Sequence, residues 1–277
     1  MKIVYFGSDV FLPCFEYFLE RHEVLALYTY HHDEDYMTEA GITRQAREAG
    51  IPIHYESIPE GEIRRYFAEE GCELFFVAEY DRLIPVPEDL EGFRGVNLHS
   101  SLLPEGRSYY PIEAAMDRGL KRTGITIHRL APTLDHGNIL DQQSVEIRPD
   151  MDSIDVYLEV SKAARRMTEK MMDDFENMWE KAWAQPDRVP YWKRPETARL
   201  TLTHGMTRAE AREMFRRFNS LSQTLLDGKL HYIFALNTGS SELPRAEWPL
   251  GENRWLYALK DGHARLCVMT KTGDDRK

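Results

Sequence analysis

The chain has 277 residues, of which 46 are acidic and 35 basic, so its formal net charge at pH 7 is −11. This length allows one domain of ordinary size and a smaller one, and the acidic balance disfavours non-specific binding to nucleic acid, because polyanions are repelled. Cys14, Cys72 and Cys267 lie far apart without metal-binding spacing, which argues against a disulfide framework and a cysteine metal site.

The N-terminal residues and the apolar runs indicate where the protein works. The first apolar run, Ile3 to Phe6, is stopped by Gly7 and is too short for a signal peptide. No stretch approaches the length that crosses a bilayer. Cysteines without a pairing pattern suit a reducing cytosol. The sequence therefore predicts a cytoplasmic protein with no membrane partner.

The first part of the chain alternates between short apolar runs and segments with helical spacing. Extended segments are predicted at 3–6, 24–28, 51–54 and 74–78. Helices are predicted at 12–19, 43–49 and 60–70. This alternation is typical of an α/β fold in which helices cover a parallel-rich sheet.

The middle of the chain continues with strands, one short helix and a long helical segment. Strands are predicted around Asn97 and His99, at 124–129 and at 139–147. A helix is expected at about 112–118. Residues 153 to about 184 have helical spacing and few helix-breaking residues, so they are predicted to form one helix that closes the first domain.

Three prolines within residues 185–195 mark the best candidate for a linker. The predicted organisation is therefore a catalytic domain at 1–184, a linker at 185–205 and a small C-terminal module at 206–277. In this module Thr207 and Glu210 have capping-box spacing, which predicts a short helix. That helix is expected to end near residue 219.

The remainder of the module is predicted to be extended. Strands are expected at 230–236, 255–259 and 264–269. Asp227–Gly228 and Asp261–Gly262 are turn signals, and the second pair is expected in a hairpin. The module should therefore combine one helix with a few β-strands.

One short apolar run in the middle of the chain carries an amide and an imidazole. Asn97 and His99 are two residues apart, so in a strand both side chains leave the same face. Asp135 follows a second apolar run and supplies a carboxylate that can orient the imidazole or take a proton. Each residue alone is better read as a cap, a packed side chain or a turn. The combination favours an acyl-transfer site.

These residues stand in a pattern that resembles the folate-dependent formyltransferases. The pattern is Asn-x-His-x-Ser-Leu-Leu-Pro at 97–104, Thr-Gly-Ile-Thr-Ile-His at 123–128 and Leu-Asp-x-Gly at 134–137. The family includes methionyl-tRNA, glycinamide ribonucleotide and nucleotide-sugar formyltransferases. The resemblance covers roughly the first two thirds of the chain and implies a Rossmann-like formyltransferase domain with a mixed, parallel-rich sheet.

The resemblance also implies a chemistry and a role for each residue. The cosubstrate is expected to be N10-formyltetrahydrofolate, whose formyl carbon is attacked by a primary amine, and no metal is needed. Asn97 is expected to donate to the oxyanion, and His99 to stabilise the developing charge and shuttle a proton. Asp135 is expected to position His99 or a water and to accept the amine proton.

The same resemblance assigns two loops to the folate. One is residues 78–85 and the other is residues 134–138, which in relatives hold the pterin largely through backbone groups. The residues carried over in this way are Tyr80, Arg82, Leu83, Leu134 and Gly137.

The acceptor side is expected to involve the first turn and the loop after His99. Gly7 and Ser8 follow the first strand, but the glycines of a dinucleotide-binding turn are missing, so NAD is improbable. The backbone amides of this turn are a minor candidate for an anionic acceptor.

The loop after His99 departs from the family outline in part. Arg107 matches it, whereas Gly106 and Ser108 do not. Two readings of Tyr109 and Tyr110 remain open. Both rings pack under the loop, or at least one lines the acceptor pocket and stacks on a sugar or base.

The segment from His31 to Glu39 is acidic. Its first residues have the types of a metal site, but adjacent ligands on one loop seldom enclose a tetrahedral ion, so a solvated loop is favoured. In the tRNA-modifying relatives this region tends to be basic, and phosphate contacts need cations. Nucleic acid is therefore an unlikely partner, and a small-molecule amine, above all a nucleotide-linked amino sugar, is the expected acceptor.

Three other functions stay open on the sequence. They are formylation of methionyl-tRNA, hydrolysis of formyltetrahydrofolate by water on the same trio, and a non-enzymatic folate- or nucleotide-binding module. The oligomeric state is undetermined, a homodimer being one possibility.

Overall fold

This computed structural model describes residues 1–30, 41–107, 109–186, 188–243, 246–251 and 253–270. The acidic segment from His31 to Glu39, for which the sequence analysis considers a metal site, lies outside the described residues. Ser108 lies outside them as well. The chain divides into two compact units. The first comprises 1–112, 121–147 and 157–192, and the second comprises 113–120, 148–156 and the described residues of 193–277.

The first unit contains a sheet of seven strands in the order β3-β2-β1-β4-β5-β6-β7. The strands are β1 Lys2–Gly7, β2 Glu23–Tyr28, β3 Ile53–His54, β4 Leu74–Ala78, β5 Gly95–His99, β6 Arg122–Arg129 and β7 Ile139–Glu146. Neighbours from β3 to β5 pair in parallel, whereas β5–β6 and β6–β7 are antiparallel. The mixed, parallel-rich sheet that the sequence predicts is confirmed.

The helices up to residue 180 follow the predicted alternation, with one exception. They are α1 Leu12–Arg21, α2 Gly41–Glu48, α3 Glu60–Ala68, α4 Pro111–Asp117, α5 Ser153–Asp173 and α6 Phe175–Glu180. The prediction of one helix from 153 to 184 is wrong, because Asp174 has a non-helical φ of −135°. Trp183 then pairs with Ile139 through two backbone hydrogen bonds of 2.8 and 3.0 Å, which satisfies its N–H and C=O outside a helix.

Strands β1 and β4 lie at the centre of the sheet and are almost wholly buried. A strand buried on both faces reads as a continuous apolar run, which is how both segments read in the sequence. Their aromatic side chains pack together, with the rings of Tyr5 and Phe76 5.5 Å apart. At the end of β1 a Cβ on Gly7 would lie 2.3 Å from the carbonyl oxygen of Ala78, so only glycine lets the two strands approach here.

The second unit is built on a five-stranded antiparallel sheet in the order β10-β11-β12-β9-β8. These strands are β8 Gln223–Leu226, β9 Lys229–Gly239, β10 Glu247–Gly251, β11 Arg254–Leu259 and β12 Gly262–Thr270. The helices α7 Thr197–Leu200 and α8 Arg208–Phe218 precede them in the chain. The predicted capping box is present, since Glu210 N donates to Thr207 Oγ1 and Thr207 N donates to Glu210 Oε2.

Two strands of this sheet are absent from the sequence prediction. β8 has only four residues, and β10 contains Pro249 and lies at an edge, where a missing N–H is tolerated. β8 is joined to β9 by Asp227 and Gly228, whose φ angles are +48° and +76°. These angles make the turn signal in the sequence a two-residue hairpin turn.

The described residues contain neither a membrane-spanning helix nor a cluster of metal ligands. No helix among them combines the length and the apolarity that a bilayer crossing requires. They also contain no group of three or more His, Cys, Asp or Glu side chains placed to hold a metal ion. All three cysteines are free thiols.

Candidate functional site

The carboxyl ends of β4 and β5 open onto a cavity in the first unit. Its volume is about 320 Å³, which is at the lower end of the range for small-ligand sites. Among the described residues, the lining includes the predicted trio of Asn97, His99 and Asp135. In open α/β sheets ligands bind beyond the carboxyl ends of the strands, so this is the position expected for a functional site.

The structure brings the three predicted residues together. Asn97 and His99 leave the same face of β5, as the period-two spacing predicts. The Asp135 side chain is buried, and its Oδ1 lies 3.7 Å from His99 Nδ1. One carboxylate, one imidazole and one amide thus share a wall of the cavity, although their catalytic roles stay predictions.

One backbone contact identifies which ring nitrogen of His99 carries a hydrogen. Its Nε2 lies 2.8 Å from the carbonyl oxygen of Gly106, which can only accept, so Nε2 carries the hydrogen. Nδ1 is therefore the ring nitrogen that faces Asp135. This arrangement suits a group that passes a proton between the carboxylate and a bound ligand.

His128, on β6, is a fourth member of the site whose role the sequence does not reveal. Its Nδ1 donates to the carbonyl of Arg129 at 2.8 Å, and its Nε2 accepts from Asn97 Nδ2 at 3.1 Å. Nε2 also lies 3.7 Å from Asp135 Oδ1. Burial lowers the pKa of His128 to about 4, so the ring is neutral near pH 7 and keeps the lone pair that orients the Asn97 amide.

The lowered pKa of His128 predicts an acid-labile fold. In the unfolded chain the ring takes a proton near pH 6.5, whereas in the folded chain it does so only near pH 4. The contribution of the neutral ring to the free energy of unfolding is complete above pH 6.5. This contribution is lost as the pH falls to 4, and the loss is about 3 kcal/mol. We expect His128→Gln to flatten the fall of the free energy of unfolding between these pH values, measured by urea denaturation.

A histidine outside the cavity lining provides the control for this measurement. His204→Gln removes a half-exposed ring and should leave the steepness of the acid transition nearly unchanged. An equally steep transition in His128→Gln would contradict the assignment of acid lability to the buried ring.

The loop that carries Asp135 is held tightly from two sides. Asp135 has a φ of +54°, a left-handed conformation. A Cβ on Gly137 would lie 1.8 Å from the carbonyl oxygen of Arg129, so no other residue fits this close approach. Gln185 Nε2 donates to the carbonyls of Asp135 at 2.9 Å and Gly137 at 2.8 Å. These constraints fix where the carboxylate points.

Arg107 is not where the sequence analysis expects it. Its side chain is buried away from the cavity lining, and Nε and Nη2 donate to Gln185 Oε1 at 3.2 and 2.7 Å. Nη1 lies 2.6 Å from His136 Nε2. The guanidinium thus holds Gln185, which in turn holds the Asp135 loop. These contacts support a positioning role for Arg107 instead of direct contact with the acceptor.

The loop after β5 is anchored by Thr126 in the second motif. Thr126 Oγ1 donates to the carbonyl of Ser101 at 2.7 Å and accepts from the backbone N–H of Leu103 at 3.1 Å. Gln142 Nε2 donates to Thr126 Oγ1 at 2.8 Å and to the Leu103 carbonyl at 2.7 Å. The threonine of this motif therefore explains how β6 keeps the residues after His99 in place.

Four further predicted residues line the cavity, namely Tyr80, Tyr109, Tyr110 and Leu134. Tyr109 has 56% of its surface exposed, so this ring is available to a ligand and does not pack under the loop. Of the two open readings for the tyrosine pair, the geometry favours the one that places them in the pocket.

The remaining predicted residues lie outside the cavity lining. Leu83 is 66% exposed, and Arg82 donates to the carbonyl of Tyr55. Ser8 is buried and accepts from Val10 N at the start of a short 3₁₀ turn. Gly7 has the packing role described above. Gly137, whose close approach to Arg129 is described above, is also absent from the lining, so the structure places none of these five residues there.

Five lining residues are not named individually by the sequence analysis, namely Tyr30, Glu79, Asp81, Leu98 and Pro111. Glu79 and Asp81 lie within the loop 78–85 that it assigns to the folate. Burial raises the pKa of Tyr30 to about 12 and also raises the pKa of Glu79. The sequence signal for Glu79 and Asp81 is that this acidic pair flanks Tyr80 directly after β4, at the carboxyl edge of the sheet.

A family model described as formyl transferase matches residues 35–171, about half of the chain. The methionyl-tRNA formyltransferase of Natranaerobius thermophilus is 32% identical over 132 residues, which cover 47% of this chain and 42% of that protein. The chain spans about half the length of the curated relatives it matches.

Solved structures share the fold at lower identity. The N-formyltransferase from Helicobacter canadensis, in complex with folinic acid and dTDP-3-aminofucose, has a TM-score of 0.62 at 17% identity and covers 98% of this chain and 99% of that chain. HypX from Aquifex aeolicus, in complex with tetrahydrofolic acid, has a TM-score of 0.73 at 14% identity and covers 98% of this chain and 44% of that chain.

Proposed function

Because the chain belongs to the folate-dependent formyltransferase family, we propose that it transfers the formyl group of N10-formyltetrahydrofolate to a primary amine of a small acceptor. The observation that carries this proposal is the approach of Asp135 Oδ1 to within 3.7 Å of His99 Nδ1, beside the Asn97 amide. Proton acceptor, proton shuttle and oxyanion donor are the groups that acyl transfer to an amine requires.

The proposed reaction proceeds through a tetrahedral oxyanion. The amine nitrogen bonds to the formyl carbon, and Asn97 Nδ2 and the protonated Nδ1 of His99 donate to the oxyanion. Asp135 accepts a proton from the attacking nitrogen. The bond between the carbon and N10 then breaks, and N10 receives a proton through His99. The buried wall keeps these groups in place before the substrates bind.

The cavity wall suits the folate in its chemistry. Leu98 and Leu134 offer apolar surface, and Tyr80 adds a ring that also packs on Phe6 at 5.5 Å between centroids. Flat heterocycles bind between apolar and aromatic side chains, with a few polar groups for orientation. Tyr80 and Leu134 are therefore the residues proposed to hold the pterin end of N10-formyltetrahydrofolate, which supplies the formyl group.

The proposed acceptor is a nucleotide-linked amino sugar. The exposed ring of Tyr109 at the cavity supports it, because a tyrosine can stack on a sugar or base and hydrogen-bond through its hydroxyl. The net charge of −11 makes a long polyanion a poor partner. The shared fold with a protein solved with dTDP-3-aminofucose adds support.

Methionyl-tRNA is the second candidate, because a methionyl-tRNA formyltransferase is among the relatives by sequence. The experiment that distinguishes the two acceptors is incubation of the chain with N10-formyltetrahydrofolate and either dTDP-3-aminofucose or methionyl-tRNA. We expect formylation of the amino sugar and negligible formylation or binding of tRNA. Micromolar tRNA binding that weakens steeply with salt, together with formyl transfer, would contradict the amino-sugar proposal.

Hydrolysis of the cosubstrate is tested in the same assay. Incubation with N10-formyltetrahydrofolate alone should release little tetrahydrofolate, because the acceptor amine is missing. Release at the same rate with and without an amine would identify a hydrolase. Folate binding without any release would identify a binding module.

A further inference from the structure

Glu79 is a carboxylate in the cavity wall that the proposed mechanism does not use. It directly follows β4, has a φ of +57° and lines the same cavity as the trio. Ser100 Oγ donates to Glu79 Oε1 at 3.0 Å, which holds the side chain in place. Ser100 itself directly follows His99, so Glu79 is connected to the reactive strand through one hydrogen bond.

The charge of the cavity is one-sided. Among the described residues, its lining contains the carboxylates of Glu79, Asp81 and Asp135 and no lysine or arginine. Asp81 is exposed and lies within 3.7 Å of the neighbouring Arg82, whereas Glu79 and Asp135 are the inner pair. A ligand that enters this part of the cavity therefore meets two inner carboxylates, with no lysine or arginine of the described lining beside them.

The surroundings of Glu79 make its ionised form costly. Burial raises its pKa, and the charge of Asp135 raises it further, while the Ser100 hydrogen bond and His99 lower it. A carboxylate taken out of water gains most from a cation that pairs with it. An amine acceptor is such a cation, because an alkyl amine takes up a proton near pH 7 and becomes an ammonium.

The proton balance of the reaction calls for a second acceptor. An ammonium loses two protons when it becomes a formamide, and only one of them is needed at N10 of the folate. Asp135 and His99 account for the proton that passes to N10. The other must leave the ammonium before attack, because a protonated nitrogen has no lone pair.

We infer that Glu79 receives the ammonium group of the acceptor and takes its first proton. The ammonium pairs with Glu79 Oε2, the oxygen opposite the one that Ser100 binds, and one N–H proton moves to that oxygen. The nitrogen is left with the lone pair that attacks the formyl carbon. After product release the proton passes from Glu79 to solvent. This inference rests on the proposed function and names the acceptor as a cationic amine.

A binding comparison tests the inference without turnover. The probes are dTDP-3-aminofucose and the matching sugar nucleotide with a hydroxyl at position 3, titrated calorimetrically at pH 7 in the absence of folate. The unmodified chain should prefer the amine by about tenfold or more, and Glu79→Gln should reduce the preference to within about threefold. Glu91→Gln removes an exposed carboxylate outside the cavity lining and should keep the full preference.

A second variant tests the same carboxyl through its pH dependence. The titratable groups that face Glu79 are Tyr30, Asp81, His99 and Asp135. The amine preference requires ionised Glu79, so it is lost as the pH falls through the pKa of that group. Ser100→Ala removes a hydrogen bond that lowers this pKa and should move the loss to higher pH.

Four results would overturn the inference. They are a full amine preference in a folded Glu79→Gln protein, an unmodified chain that shows no preference, an unmodified chain that binds neither probe, and a Ser100→Ala profile that does not move. Failure of the proposed function looks different. A chain that keeps a Glu79-dependent amine preference but transfers no formyl group would contradict the transferase proposal alone.

Discussion

Replacing Asp135 with asparagine is expected to lower kcat for formyl transfer by about a hundredfold or more. A carboxamide has the shape of the carboxylate but cannot accept the amine proton. Asparagine also tolerates the left-handed conformation that Asp135 adopts, with a φ of +54°, so the loop should keep its course. The measurement is the steady-state rate with saturating N10-formyltetrahydrofolate and amine, together with the melting temperature.

Asp141→Asn is the matched control for this variant. Asp141 lies on β7 and pairs with Lys170 at 2.7 Å on the surface, so its replacement removes one carboxylate at little cost in stability. Its rate should stay within a factor of about two of the parent. An Asp135→Asn rate within a factor of a few of the parent would contradict the role of Asp135 as proton acceptor.

Asn97→Ala and His99→Asn are each expected to lower kcat by about a hundredfold to a thousandfold, because each removes a donor to the same oxyanion. The double variant should lose less than the product of the two single losses, since both donors act on one intermediate. Their common face on β5 and the shared cavity wall motivate this coupling. The measurement is a double-mutant cycle on kcat for formyl transfer.

The stability of the same variants separates structure from catalysis. Asn97→Ala also leaves His128 Nε2 without its donor, so a loss of about 1–3 kcal/mol in the free energy of unfolding should accompany it. His128→Gln in the Asn97→Ala background then has little further effect on the rate. Fully multiplicative rate losses of the Asn97 and His99 variants would indicate that the two residues serve separate steps.

Several features of this chain follow from local sequence patterns. The apolar runs of β1 and β4 predict buried strands because nothing polar interrupts them. The two-residue spacing of Asn97 and His99 predicts a shared face because side chains alternate along a strand. Thr207 and Glu210 predict the start of α8 because a capping box needs only two residues three positions apart.

Other features depend on residues that are distant in the sequence. Arg107 and Gln185 are 78 positions apart, and Gln185 holds the carbonyl of Asp135 from 50 positions away. No local period encodes such contacts, so the sequence alone places Arg107 at the acceptor and Gln185 in a linker. The end of the helical segment before residue 184 is of the same kind, because Trp183 pairs with Ile139 on the sheet.

The sequence by itself therefore determined the α/β architecture and the strand that places Asn97 and His99 on one face, because residue types and short periods encode both. The grouping of these two residues with Asp135 as a catalytic trio stays a prediction, which rests on the motif resemblance. The tertiary structure alone decided that His128 orients the amide and that Glu79 faces the cavity beside the trio. Burial and charge at a site come from the packing of several elements, and no single segment contains that information.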